Sequence, residues 1–193
     1  MKKYITEFIG TFFLVLVIGL SAFVGSGVPA PLAIGAVLMV MVYAGGQISG
    51  AHYNPAVTVA VWVRGRISSA DAVSYIIAQL LGAVVAAFLV KYLVDKNLFP
   101  QEALKNSVPI KAVVAELLGT FALAYVVLNV ATSKATAGNS YFGLAIGFTV
   151  MAMAFALGKF SGGAFNPAVA IAICFLKLAN WADIWIYLVG CLG

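Results

Sequence analysis

Charge is scarce in this 193-residue chain: Lys and Arg number 11 and Asp and Glu six, together 9% of residues, against an apolar share of 64%. Soluble domains carry about a quarter charged residues, so the composition excludes a fold whose surface faces water throughout. Histidine occurs once and cysteine twice, Cys174 and Cys191, both in apolar stretches. So few ligands supply neither a disulfide framework nor metal spacing; the cysteines read as core packing, and no metal or cofactor is expected. The net charge of +5 comes from scattered Lys and Arg without a basic run, which gives nucleic-acid binding no support. No Ser/His/Asp, phosphate-loop or metal-ligand constellation appears, so an enzyme is not expected.

What the chain has instead is apolar length punctuated by breakers, 19 Gly and six Pro. Those breakers fall in segments too apolar for loops in water, which is the pattern of an all-α, multi-pass membrane protein with interrupted helices. Residues 8–63 carry no charge; a crossing needs about 20 residues, so this run holds two crossings and a surplus. Spanning helices are expected at 4–24, 31–47, 70–92, 110–131, 141–158 and 181–193. Turns are expected at 25–29 and 132–140, and a longer polar connection at 94–109. Met1-Lys2-Lys3 before an apolar run is reminiscent of a secretory signal, but the run is long for one and Glu7 stands at its start. The expected sixth span has only thirteen residues, so the sequence reads as ending inside its last helix.

Self-comparison gives the organisation. Residues 32–57 align without gaps on 144–169 at an offset of 112, with 14 of 26 positions identical, ending on Asn54-Pro55-Ala56-Val57 against Asn166-Pro167-Ala168-Val169. Glu7-Phe8-Ile9-Gly10-Thr11-Phe12 matches Glu116-Leu117-Leu118-Gly119-Thr120-Phe121 at an offset of 109. The chain is thus a tandem duplication, residues 1–109 and 110–193. Three crossings per half make the second half enter from the opposite face, so the repeats are inverted. With the N-terminus cytoplasmic, one side collects Lys2, Lys3, Arg64, Arg66 and Lys134, the other Lys91, Lys96, Lys105, Lys111, Lys159 and Lys177. That balance does not fix orientation.

Each Asn-Pro-Ala follows a Ser-Gly pair and precedes a short apolar run. Asn is a preferred helix cap and Pro a preferred first helical residue, so each motif opens a helix, at 55–63 and 167–176. About ten residues reach only half of a hydrocarbon core some 30 Å thick. Two half-helices entering from opposite faces would meet N-terminus to N-terminus at the midplane. The stretches before them, 47–53 and 159–165, are expected to be non-helical, which membrane depth permits only where water or protein satisfies the backbone. Glu7 and Glu116 sit in apolar helices at matched positions and are expected to accept hydrogen bonds from these loops, although a Glu7 snorkelling from its helix end is an alternative. At the midplane a solute would meet the Asn54 and Asn166 amides and two positive helix ends, which repel cations.

The segments Ser49-Gly50-Ala51-His52-Tyr53-Asn54-Pro55-Ala56-Val57-Thr58 and Ser161-Gly162-Gly163-Ala164-Phe165-Asn166-Pro167-Ala168, with the Glu7 and Glu116 helix openings, resemble the aquaporin or major intrinsic protein family in its bacterial form. The resemblance implies six spanning helices plus two re-entrant half-helices, a homotetramer in the plasma (inner) membrane, cytoplasmic termini, and passive flux of water or small neutral solutes. It also implies a filter at Ile34, Ala154, Gly163 and Val169. Family members commonly carry Arg where this chain has Val169, often an aromatic at the first position and His at the second, so the filter here reads as wide and apolar. Ala170 lacks the Asp typical of glycerol facilitators, and Tyr187-Leu188 mixes both branches. Water with other small uncharged solutes is the leading expectation. A channel mainly for glycerol, urea or metalloid acids, and a secondary transporter built on inverted repeats, are the alternatives. His52 is expected at the pore mouth as a hydrogen-bonding group.

Overall fold

The computed structural model describes residues 1–24, 27, 29–103, 105–106 and 108–193. It contains eight α-helices and no strand among these residues: α1 (Lys2–Val24), α2 (Ala30–Ser49), α3 (Pro55–Val63), α4 (Ser69–Leu93), α5 (Pro109–Thr132), α6 (Phe142–Ser161), α7 (Pro167–Phe175) and α8 (Ile184–Leu192). Five of them, α1, α2, α4, α5 and α6, are long and apolar enough to cross a membrane. The expected sixth span is instead a 3-10 turn at Trp181–Asp183 followed by the nine residues of α8. Asn180 accepts from Ala182 N and starts that turn, so the helix proper begins later than apolarity alone suggests.

Local chemistry sets most boundaries. Ser68 caps α4 by accepting from Asp71 N; Asp71 lies in its first turn and Lys91 in its last, both favourable to the helix dipole. Helices α2 and α6 run further than expected: 47–49 and 159–161 are helical, and the irregular segments are only 50–54 and 162–166. Gln47 and Lys159 do not break a helix. What ends each one is a left-handed glycine, Gly50 at φ 86° and Gly162 at φ 92°, whose N–H bonds the carbonyl four residues back. The expected turn at 25–29 lies partly outside the described residues, which omit 25, 26 and 28; the connection at 94–109 omits 104 and 107 and holds a 3-10 turn at Lys96–Leu98. The 132–140 segment begins one residue later than expected, because α5 includes Thr132, and then forms a 3-10 turn at Lys134–Thr136.

Packing repeats between the halves. Helix α1 lies against α2 and α4 as α5 lies against α6 and α8; each half-helix also touches the first helix of the other half, α3 on α5 and α7 on α1. The halves join at the α2–α6 crossing. A Cβ on Gly35 would lie 2.6 Å from Met151 Cβ and 2.7 Å from Gly147 O; one on Gly147 would lie 2.5 Å from Gly35 O and 2.6 Å from Met39 Cβ. Two glycines thus let two backbones touch, the small-residue contact expected of helices that cannot use hydrophobic exclusion between them. The opposite faces are apolar and uncovered: Val73, Ile77, Leu81, Val85 and Phe88 on α4, and Leu117, Phe121 and Tyr125 on α5, are exposed. Such surface suits lipid rather than water.

Replacing Gly35 or Gly147 by Val overpacks this crossing against backbone. We expect a loss of at least about 1–3 kcal/mol, read as a lower thermal midpoint of the detergent-solubilised protein; an unchanged midpoint would contradict the contact.

Candidate pore

The two irregular segments carry the chemistry. In the first, Gly50, Ala51 and Tyr53 have φ of 86°, 52° and 50°; in the second, Gly162, Gly163 and Phe165 have 92°, 68° and 49°. Left-handed backbone costs a non-glycine residue about 1–2 kcal/mol, and these turns also point backbone N–H groups inward, away from any helix partner. The N–H groups converge on a carboxylate. Glu7 Oε1 accepts from Ser49 Oγ (2.6 Å) and His52 N (3.0 Å), and its Oε2 from Tyr53 N (2.7 Å) and Gln79 Nε2 (2.8 Å). Glu116 repeats the scheme with Ser161 Oγ (2.6 Å), Ala164 N (3.0 Å) and Phe165 N (2.6 Å), and with Cys191 Sγ at 3.6 Å in place of the glutamine. Both carboxylates are 0% exposed, which excludes a snorkelling Glu7. Four donors each make burial of the oxygens tolerable where an unpaired acid would not be.

Further bonds hold the loops from the outside. Tyr75 donates to Ser49 O (2.8 Å) and Tyr187 to Ser161 O (2.7 Å). The ring of Tyr53 fills the space where Gly10 lacks a side chain, and Phe165 does the same at Gly119. Tyr75, Gln79 and Cys191 stand in no recognisable motif, and Tyr187 stands out only as a type-marking position and not as a loop partner. The signal was nevertheless present, since the offset of 112 that pairs the Asn-Pro-Ala segments also pairs Tyr75 with Tyr187 and Gln79 with Cys191. Cys191 is thereby more than core packing.

Each Asn has two tasks. Asn54 Oδ1 accepts from Ala56 N at 2.9 Å, and Asn166 Oδ1 accepts from Ala168 N at 2.9 Å and Val169 N at 3.4 Å, capping α3 and α7. The amide nitrogens cross between halves: Asn54 Nδ2 donates to Phe165 O (2.8 Å) and Asn166 Nδ2 to Tyr53 O (2.9 Å). The half-helix N-termini therefore abut. One amide hydrogen of each Asn is committed, which leaves one hydrogen of each, and not a full NH₂ group, for any further partner.

Around this junction runs a narrow cavity of about 60 Å³. Ile34, Gly163, Val169, His52, Asn54 and Asn166 line it, together with Leu14, Ile18, Leu38, Val57, Leu123, Val127, Ile146, Val150 and Ile173. Ala154 is not among the lining residues; it is half-buried on α6, one turn beyond Val150 on the same face. Pro55, Ala56, Pro167 and Ala168 are buried behind the junction as the first turns of α3 and α7. Among the described residues that line the cavity there is no Lys, Arg, Asp or Glu. Its polar edge is backbone of the two loops plus three side chains, and the rest is aliphatic.

Removing a carboxylate leaves two backbone N–H groups and a serine without their acceptor, at about 1–3 kcal/mol each. Glu7→Ala and Glu116→Ala should each abolish recovery of folded protein, whereas Cys191→Ala, which loses one weak bond, should shift the thermal midpoint by only a few degrees. Size-exclusion profiles and thermal scans in detergent check both.

Comparison with known proteins places this arrangement. The family profile described as Major intrinsic protein matches residues 1–192. The glycerol uptake facilitator protein-like 6 of Lactiplantibacillus plantarum is 36% identical over 98% of this chain and 91% of its own length. Aquaporin TIP2-3 of Zea mays is 36% identical over 98% and 82%, and aquaporin AqpM of Methanothermobacter thermautotrophicus 34% over 86% and 80%. The X-ray structure of the aquaglyceroporin from Plasmodium falciparum superposes with a TM-score of 0.81 over 100% of this chain and 91% of that one; at 24% identity it speaks for the fold. The chain belongs to the major intrinsic protein family, whose members are passive channels of the membrane and not enzymes.

Proposed function

We propose that this channel conducts water and other small uncharged solutes through the bore lined by Asn54, Asn166 and the aliphatic side chains, and excludes ions through the two abutting half-helix N-termini. The observation that carries this reading is the bore itself: two amide donors at its middle, loop backbone along one edge, His52 at one end, hydrocarbon elsewhere, and no charged side chain among the described residues that line it. A permeant cation would lose its hydration to donors and positive helix ends, while a neutral molecule exchanges water for carbonyls and amides.

The apolar set Ile34, Gly163 and Val169, with Ala154 a turn away, supports tolerance for solutes larger than water, since neither a fixed cation nor a bulky ring narrows that end. The glycerol-facilitator name of the bacterial relative points the same way. A coupled transporter would need an ion site or an acidic relay facing the bore, and Glu7 and Glu116 are instead turned into their loops with every oxygen occupied. We take both acids as loop anchors and residues 1–109 and 110–193 as inverted repeats, a reading supported by their matched hydrogen bonds. A homotetramer in the plasma membrane with a cytoplasmic N-terminus completes the proposal.

In proteoliposomes followed by stopped-flow light scattering, flux of water, glycerol and urea should need no ion gradient, should not saturate, and should have a low activation energy. Val169→Arg should preserve water flux and lower glycerol flux by roughly tenfold. An unchanged solute profile would remove Val169 from the filter.

A further inference from the structure

Three residues, His52, Val127 and Ile146, line both the central bore and a wider vestibule of about 880 Å³ on the side of Lys3, Arg66 and Lys134. They come from the first loop, α5 and α6, and form the neck between the two spaces. Helix α2 closes the fourth side, with Leu38 facing the bore and Val42, one turn on, facing the vestibule. A solute leaves a wet, charged chamber for an aliphatic one at this ring.

One wall of the ring is polar, and the surrounding bonds fix how. Gln79 Nε2 donates to Glu7 Oε2 (2.8 Å) and to Thr58 Oγ1 (2.9 Å). Thr58 Oγ1 lies 3.0 Å from Asn54 O and 3.1 Å from His52 Nδ1. A hydroxyl has a single proton and two lone pairs. If it donates to Asn54 O and accepts from both Gln79 and His52, all three contacts are hydrogen bonds; if it donates to His52, the Asn54 contact is lost. Counting donors therefore assigns the proton to Nδ1 of His52. Nε2 is left as an acceptor, and it lies on the vestibule side, 3.4 Å from where a Cβ on Gly50 would stand.

The repeat makes the contrast with the other end plain. At an offset of 112, Ile146 and Val57 answer Ile34 and Val169, while His52 answers Ala164. The outer set Ile34, Ala154, Gly163 and Val169 has no side-chain donor or acceptor; the neck has one.

We propose that the neck of His52, Val127 and Ile146 is where this channel discriminates among neutral solutes: it admits molecules that place a hydroxyl or amide donor on His52 Nε2 while turning carbon toward Val127 and Ile146. The proposal rests on the channel reading above. Selection at such a ring follows from width and from the placement of its one acceptor.

The test compares wild type with Ile146→Phe, His52→Asn and, as the control at the outer end, Ile34→Phe, in proteoliposomes challenged with water, urea and glycerol. Ile146→Phe should lower the glycerol-to-water flux ratio by about tenfold, and Ile34→Phe should lower it less. His52→Asn can still donate to Thr58 from Nδ2 but has no acceptor at the position of Nε2, its Oδ1 lying closer to the backbone, so it should retain the wild-type thermal midpoint and lower the urea- and glycerol-to-water ratios. Should Ile146→Phe not yield folded protein, Val127→Leu narrows the same ring by one methylene and should lower the glycerol ratio in the same direction. If the neck variants leave both ratios unchanged while Ile34→Phe moves them, the neck does not select and the proposal fails with the channel reading intact. If wild-type vesicles equilibrate no faster than empty ones, the channel reading falls and the proposal with it.

Discussion

Everything in this molecule depends on satisfying irregular backbone where no solvent reaches it. Five residues in each re-entrant loop, 50–54 and 162–166, leave helical geometry at a depth where an unpaired peptide group costs several kcal/mol. Glu7 and Glu116 meet that demand by presenting an acceptor pair from a neighbouring, fully helical segment. With the loops so held, Asn54 and Asn166 can cap their half-helices and still reach across to the opposite loop. Loop backbone then borders the cavity, with the N–H groups of His52, Tyr53, Ala164 and Phe165 facing the carboxylates.

The architecture makes the acids structural by the same act that removes them from transport. A carboxylate whose four acceptor sites are taken has little left to offer a permeating ion. What remains along the cavity is a lining of branched aliphatics from α1, α2, α5 and α6, with Val57, Val169 and Ile173 from the two half-helices. On the reading proposed above, selectivity is a matter of shape and a few backbone and side-chain dipoles.

Much of this was legible in the residues. The long charge-free runs located five spans to within a few residues, because lipid imposes length and apolarity directly on sequence. Asn-Pro and Ser-Gly marked where helices start and stop, because capping is local chemistry. The halves announced themselves through identity at a fixed offset. The parts that stayed hidden are those in which partners lie far apart in sequence: Gln79 on Glu7, Tyr75 on Ser49, Asn166 on Tyr53, and the ring of residues between bore and vestibule. Helix ends were misjudged by two or three residues at 47–49 and 159–161, where a polar residue resembles a break and the actual terminator is the left-handed glycine. Ala154 lay one turn from the lining because counting back from a motif fixes a helical face but not its depth.

The distribution of the loop bonds between the halves has a consequence for assembly. Glu7, Ser49, His52, Tyr53, Tyr75 and Gln79 all lie within the first 109 residues, so the first loop draws every one of these partners from its own half. The second half carries its own set in Glu116, Ser161, Ala164, Phe165, Tyr187 and Cys191. Each carboxylate thus holds the loop of its own half, and the crossed Asn bonds join the two halves. The cavity is then an interface between the two halves, and the bonds that join them there come from residues that line it.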